Sequence, residues 1–165
     1  MRKALYLLAV LPAMATAEVD PAMVEILDSC MKGPQDRTIA QDCIGVLTAQ
    51  CVELPDGQTT VGMMQCAMSE AAAWDVLLNI EYQAAREFAE DMDARDADNF
   101  PEYAVRGDKL LAAQRAWITY RDANCASAYA VWGAGTMRQI MGADCHLQMT
   151  AERTIELHNY YGDMQ

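Results

Sequence analysis

Six cysteines constrain the fold of this 165-residue chain more than any other feature of its sequence. An even number of cysteines in a small exported domain predicts structural disulfide bonds rather than free thiols. No Cys-x-x-Cys pair occurs in the sequence, which argues against a thiol redox centre. The sequence therefore predicts three disulfide bonds, formed by Cys30, Cys43, Cys51, Cys66, Cys125 and Cys145.

The grouping of the cysteines narrows the possible connectivities. Four of them lie within residues 30–66, and the other two lie far downstream. We favour bonds between neighbours in the sequence, each closing a short segment between helices: Cys30–Cys43, Cys51–Cys66 and Cys125–Cys145. Each bond would contribute about 2–4 kcal/mol, mainly by constraining the unfolded chain. The main alternative crosses the first four cysteines, as Cys30–Cys51 and Cys43–Cys66.

The N-terminus carries the pattern of a secretory signal peptide. Arg2 and Lys3 precede an apolar run over residues 4–11, and residues 15–17 supply the small side chains that signal peptidase accepts. The apolar run is too short to span a bilayer. We therefore predict a signal peptide at residues 1–17, a single helical domain at residues 18–165 and a periplasmic or secreted location. No cysteine stands at the cleavage point, so no membrane anchor is expected after signal cleavage.

The net charge of −12 restricts the partners that such a domain can attract. Removal of Arg2 and Lys3 with the signal peptide makes the chain still more acidic. Electrostatic attraction to nucleic acid or to anionic lipid is therefore excluded as a binding mode. An acidic surface instead attracts basic partners, and it does so faster at low salt.

Apolar residues recur at spacings of three and four along most of the chain, and no segment shows sustained strand alternation. This periodicity predicts an all-α fold, an irregular disulfide-stapled helical bundle with two long antiparallel helices. Glycine and proline residues divide the predicted helices, which cover about residues 21–31, 38–52, 60–92, 101–132 and 150–161. In the last of them, Thr150 is the predicted N-cap.

The second long helix carries polar residues on its apolar stripe. Gln114 and Arg121 share a helical face with Trp117 and Cys125. A buried arginine needs a carboxylate partner, because an unpaired buried charge is strongly destabilising. The candidate partners are Glu70, Asp75 and Glu152. We favour a structural role in which Arg121 fixes how the helices dock. The alternative is a functional site lined by Gln114, Arg121 and a carboxylate.

The segment at residues 111–125 resembles the signature of the bacterial lysozyme-inhibitor LprI N-terminal family. Its matching residues include Gln114, Trp117, Tyr120, Arg121 and Asp122. Further matches lie in the same order upstream and downstream, at Glu70, Trp74, Asp75, Asn79, Tyr82 and Arg153. The resemblance covers about residues 60–160 and implies an exported helical domain, with family members that bind and inhibit lysozyme. We interpret the matching residues as structural determinants, since the pattern does not identify an inhibitory surface.

An acidic stretch lies between the two long helices, and its candidate partner-binding residues are Asp91, Asp93, Asp96 and Asp98. Such a run is more often a solvated helix end and loop than a binding surface. Its order does not match a calcium-binding loop, so no metal is expected. If the stretch does bind a partner, a basic lysozyme or another basic protein is the expected kind, because opposite charge steers association.

Other functional classes have less support in the sequence. His146 and His158 belong to no catalytic spacing and no nucleophile elbow is present, so neither an enzyme nor a cofactor is predicted. Copper binding is a remote alternative, because thioethers suit Cu(I) and methionines occur at positions 63, 64, 68, 137, 141 and 149. Methionine on helical stripes more often fills the core. A passive envelope interaction or structural domain is the main alternative to a lysozyme-inhibitor-like binding protein.

Overall fold

The computed structural model describes residues 19–33 and 37–162, and these ranges form helices and connections without any strand. The all-α fold class is therefore confirmed. The predicted signal peptide, residues 1–17, lies outside the described residues. The helices are α1 (Pro21–Met31), α2 (Arg37–Asp42), α3 (Val46–Val52), α4 (Thr60–Asp96), α5 (Arg106–Val131) and α6 (Met137–Gly162), with a 3-10 turn at Pro101–Tyr103.

Three long helices, α4, α5 and α6, form the frame of the molecule. Contacts pair Asp93 of α4 with the start of α5 and Asp75 with its middle, so these two helices are antiparallel. The α6 helix turns back along α5 and runs parallel to α4, against which it packs most extensively. The short helices α1 and α3 pack against α4, and α2 packs against α6.

The three disulfides form in the favoured sequential pairing. Cys30–Cys43 joins α1 to the end of α2, Cys51–Cys66 joins α3 to α4, and Cys125–Cys145 joins α5 to α6. The crossed alternative for the first four cysteines is therefore wrong. Each bond links one helix to the next packed helix or to the turn that follows it, which is the stapling expected from the cysteine spacing.

Two hydrophobic clusters make up the core. The larger cluster lies where α1, α2, α3, α4 and α6 meet, around Leu27, Trp74, Leu77 and Leu147. The smaller lies toward the C-terminal end of α4 and contains Leu78, Ala85, Ala89, Leu110 and Leu157. Alanines contribute much of both clusters, so the long helices approach closely.

The predicted boundary of the last helix is wrong. Thr150 does not cap a helix, because α6 already begins at Met137 and Thr150 is a buried residue within it, 2% exposed. Gly142 does not interrupt the helix either. A Cβ at that position would lie 3.2 Å from Tyr129 Cδ2, so the glycine allows α5 and α6 to pack closely.

Three further boundaries differ from the sequence prediction. The segment predicted as one helix over residues 38–52 is divided into α2, which ends at Asp42, and α3, which begins at Val46. Gly45 lies between them as the N-cap of α3, with a left-handed φ of +90°. The α4 helix continues to Asp96 rather than ending near residue 92. Pro101 begins only a 3-10 turn, and α5 starts at Arg106.

Candidate functional site

Glu70 is the most buried polar side chain among the resemblance residues, with no exposed surface. Its Oε1 accepts hydrogen bonds from the Gly45 backbone N–H at 2.7 Å and from Trp74 Nε1 at 3.2 Å. Its Oε2 accepts from the Thr48 backbone N–H at 2.6 Å. Gly45 occupies the N-cap of α3 and has no side chain to satisfy these donors, so Glu70 caps α3 from the neighbouring helix α4.

Trp74 continues this contact from α4 to α6. The indole is fully buried, and the Trp74 carbonyl accepts a hydrogen bond of 3.3 Å from Thr154 Oγ1. The same hydroxyl lies 2.9 Å from the Thr150 carbonyl, one helical turn earlier. Glu70 and Trp74 therefore hold three helices together, and neither side chain is open to a partner.

Gln114 and Arg153 form a second polar contact, between α5 and α6. Gln114 is 7% exposed, and its Oε1 accepts from Arg153 Nε at 3.1 Å. Arg153 Nη1 donates to Glu156 Oε2 at 2.8 Å. The arginine side chain is only 11% exposed, so its charge is balanced by Glu156 rather than by solvent alone. This pair fixes the register of α5 against α6.

Arg121 bonds to different partners from Gln114, although both lie on one face of α5. Its Nη1 lies 3.7 Å from Asp75 Oδ1 of α4, and its Nε lies 3.0 Å from Asp122 Oδ1. The guanidinium also lies 5.1 Å from the centroid of the Trp117 ring. The two carboxylates are more than half exposed, so these ion pairs stabilise the fold only modestly.

The remaining resemblance residues lie near these contacts or at the surface. Asn79 Nδ2 donates to the Asp75 carbonyl at 2.8 Å, one turn earlier on α4. Tyr82 packs with Trp117 against the smaller core cluster. Tyr120 is 61% exposed, so a packing role in the core does not account for it.

The acidic stretch contains two structural carboxylates and two free ones. Asp93 Oδ1 accepts from the Arg106 backbone N–H at 3.0 Å, and its Oδ2 accepts from the Gly107 backbone N–H at 2.9 Å. Arg106 Nη2 donates to Asp96 Oδ2 at 2.7 Å. Asp93 therefore caps α5 from α4, because Val105 at the N-cap supplies no side-chain hydrogen bond.

The electrostatic setting of Asp93 follows from these bonds. Partial burial acts to raise the pKa of its carboxyl, but hydrogen bonds from Gly107 and Arg106 outweigh it and hold the pKa below the ordinary value of 3.8. The same contacts raise the pKa of Arg106, first through Asp96 and then through Asp93. Of the four candidate partner-binding residues, Asp91 and Asp98 remain exposed with no cation partner among the described side chains.

The outer face of α4 carries exposed apolar residues that belong neither to the family signature nor to the acidic stretch. Val76 is 36% exposed and Ile80 is 52% exposed. They line two adjoining concavities of about 480 and 600 Å³, the first between α1 and α4 and the second along α4 alone. The sequence signal was available, because both residues are apolar yet lie off the buried stripe of the helix.

Three of the methionines named in the copper alternative lie against the Cys125–Cys145 disulfide or in a groove that Cys125 lines. Met149 Sδ packs 3.8 Å from Cys125 Sγ and 3.9 Å from Cys145 Sγ, against the third disulfide. Met64, Met68 and His146 instead line a shallow groove between α4, α5 and α6. Within residues 19–33 and 37–162, no three His, Cys, Asp or Glu side chains group as a metal site.

The sequence was compared with models of known protein families. A model of the family described as lysozyme inhibitor LprI matches residues 51–157, which include all of α4 and α5 and most of α6. The chain belongs to the LprI lysozyme inhibitor family. The match begins at Cys51, after α1 and α2, so the Cys30–Cys43 disulfide and these two helices lie outside it.

The curated proteins include one similar sequence, described only as an uncharacterized protein of Rhizobium meliloti (strain 1021). It is 33% identical over 118 residues, which are 70% of this chain and 84% of the relative. No solved structure gives a significant match. In the part of the chain that the structure describes, no helix combines the length and apolarity needed to cross a bilayer.

Proposed function

We propose that this protein is an exported lysozyme-inhibitor-like protein that binds a basic lysozyme and blocks its cleft without any chemistry of its own. The observation that carries the proposal is the family match over residues 51–157, which covers α4, α5 and most of α6. An inhibitor of this kind needs a rigid surface, and three disulfides together with the buried Glu70 contact supply one.

The charge of the chain supports the choice of target. Many lysozymes are strongly basic and cut glycan with a pair of carboxylates. The full chain has a net charge of −12, and the exported domain is more acidic still because Arg2 and Lys3 are removed. Such a protein would be attracted to a basic enzyme from a distance and would associate fastest at low ionic strength. The proposed mode of action is occlusion, in which the bound inhibitor excludes the substrate glycan from the cleft.

Export is part of the same proposal. Residues 1–17 act as a signal peptide, residues 18–165 form the functional domain, and the domain works in the periplasm or outside the cell. The three disulfides support this location, because such bonds persist in oxidising compartments. Family membership supports it as well, since a lysozyme inhibitor must meet its target outside the cytoplasm.

The proposal is tested with protein recovered from the periplasm of expressing cells. Its mass should correspond to cleavage after Ala17. The protein is added to bacterial cells treated with basic animal lysozyme, and the loss of turbidity is followed. Inhibition that saturates near equimolar protein is expected, and it should weaken as salt rises.

A matched control separates a folded surface from charge alone. Reduction followed by alkylation with a neutral reagent keeps the acidic charge but removes the three disulfides that hold the surface rigid. The alkylated protein should therefore not inhibit lysozyme. If both forms inhibit equally, a specific binding surface is contradicted. If native protein fails at a large molar excess against basic and other lysozyme types, the passive envelope domain becomes the better description.

A further inference from the structure

We propose that a groove on the outer face of α4 is the surface that docks the basic target. The groove is formed by Val76, Ile80 and Glu87 of α4 together with Val24, Glu25 and Asp28 of α1, and it is called the α1–α4 groove below. This inference rests on the proposed function and deepens it, because it names the part of the molecule that meets the lysozyme.

The floor of the groove is apolar and open. Val76 and Ile80 lie one helical turn apart, and both line each of the two adjoining concavities. They are 36% and 52% exposed, in a helix whose other aliphatic residues nearby, Leu77 and Leu78, are buried. Exposed apolar residues that adjoin a concavity and are rimmed by polar ones are typical of binding surfaces.

The rim of the groove is acidic. Glu25 and Glu87 are exposed, and the described side chains provide neither of them with a cation partner. Lys32 also lines the groove, and its Nζ lies 2.8 Å from Asp28 Oδ1, so its charge is balanced. Along α4, Glu87 and Asp91 follow Val76 and Ile80 on the same helical face, so negative charge continues to about 16 Å beyond Ile80.

This arrangement fits a basic protein better than a second copy of the chain. Two copies meeting through this groove would bring their acidic rims together, and like charges facing each other oppose association. A basic protein would place Lys or Arg side chains against Glu25 and Glu87 while an apolar side chain enters between α1 and α4. The groove between α5 and α6 fits a basic partner less well, because Arg106, Lys109 and Arg153 line it.

The position of the groove also indicates a role in choosing the target. One wall, α4, lies within the residues that match the family, whereas the other wall, α1, precedes them. The Cys30–Cys43 bond at the end of α1 holds that wall in place. The shape of the groove therefore depends on α1 as well as on the family-matched residues. Because α1 forms one wall, it would favour targets whose surface fits it.

The test compares two apolar-to-cationic variants on the same helix. Ile80→Arg places a cation in the groove, whereas Val61→Arg makes the same charge change at a residue that is equally exposed, 51% against 52%. The two positions are about 28 Å apart along α4. Ile80→Arg should raise the concentration needed for half-inhibition of basic animal lysozyme at least about tenfold, and Val61→Arg less than about twofold.

A second pair of variants probes the rim. Glu87→Gln should slow association at low salt by a few-fold and have little effect at high salt, whereas Glu53→Gln, an exposed acid outside the groove, should change neither. This pair also keeps the test valid if the Ile80→Arg variant does not fold. Circular dichroism and melting curves establish that each variant tested is folded.

Each outcome bears on a different statement. If the wild type inhibits lysozyme and the Ile80→Arg and Glu87→Gln variants inhibit it equally well, the groove is not the docking surface, and the proposed function still stands. No inhibition by the wild type overturns both. If the wild type sediments as a dimer and Ile80→Arg as a monomer, the groove is an interface between copies, and a basic lysozyme is not its occupant.

Discussion

The two halves of α4 use the same device in different surroundings. Near its N-terminal end, Glu70 caps α3, and near its C-terminal end, Asp93 caps α5. In both cases the capped helix has no side-chain bond of its own at the N-cap. Glu70 has no exposed surface, whereas the Asp93 side chain is 18% exposed and lies beside Asp96 and Arg106.

The difference shows how burial changes the value of a hydrogen bond. Donors that lose a buried acceptor cannot be satisfied by water, so the free energy of unfolding falls by the full desolvation penalty of those donors. Donors at a partly exposed helix start can turn to solvent instead. The N-terminal half of α4 is also fixed by the Cys51–Cys66 bond, whereas its C-terminal end is joined to α5 by ion pairs and hydrogen bonds without a disulfide. We therefore expect the N-terminal end of α4 to be rigid. The stability of its C-terminal end should depend on pH and on salt.

The largest effect is expected at Glu70. Glu70→Ala leaves the Gly45 and Thr48 backbone donors and Trp74 Nε1 without their acceptor, and it should lower the free energy of unfolding by about 3–5 kcal/mol. Glu70→Gln should also destabilise, because its NH₂ group would face a backbone N–H. Chemical denaturation measures both, with the exposed Glu53→Ala as the matched control. A loss below about 1 kcal/mol for Glu70→Ala would contradict the assignment.

A smaller and pH-dependent effect is expected at Asp93. The Asp93→Asn variant should lose less than about half as much stability at neutral pH as Glu70→Ala, because water can replace the lost acceptor. The pKa of Asp93 is lower in the folded protein than its ordinary value of 3.8. Its stabilising contribution is therefore fully present above about pH 4 and is lost as the pH falls through the folded pKa.

Melting curves of the wild type and of Asp93→Asn between neutral pH and about pH 2 measure this dependence. The difference in melting temperature should stay constant at neutral pH and disappear in acid. Asp98→Asn is the matched control in the same stretch, since Asp98 is exposed and unpaired among the described side chains. A difference that grows in acid would have the wrong sign and would reject the depressed pKa of Asp93.

The same contrast explains what the sequence could and could not predict. The start of α1 at Pro21, the buried stripe of α4 and the disulfide pairing depend on local spacing, which is visible in a single sequence. The two caps depend on which helix start packs against α4, and no sequence motif marks a carboxylate as the cap of a neighbouring helix, so Glu70 and Asp93 could not be matched to α3 and α5 from the sequence. The division at Gly45 was missed for the same reason, because its N–H is satisfied by Glu70.

The site was predicted less well than the fold. Family resemblance selects residues that hold the helices together, such as Trp74 and Gln114, and these side chains are largely buried. The exposed Val76 and Ile80 have no motif to mark them, and their grouping with α1 depends on tertiary packing. The sequence does not distinguish the members of the acidic stretch, although Asp93 and Asp96 are bonded within the fold while Asp91 and Asp98 have no cation partner among the described side chains.

The smallest effect on stability is expected for the free carboxylates of that stretch. Replacing Asp91 and Asp98 together by asparagine removes no contact with another described residue, so the melting temperature should not change measurably. The association rate with a basic lysozyme should fall slightly at low salt, because two negative charges are lost, and this difference should vanish at high salt. Replacing Asp93 and Asp96 makes the same change in charge but should also destabilise the fold, since both side chains bind Arg106. Equal melting temperatures for the two double variants would show that the cap on α5 contributes nothing, and the contrast between the two ends of α4 would then depend on Glu70 alone.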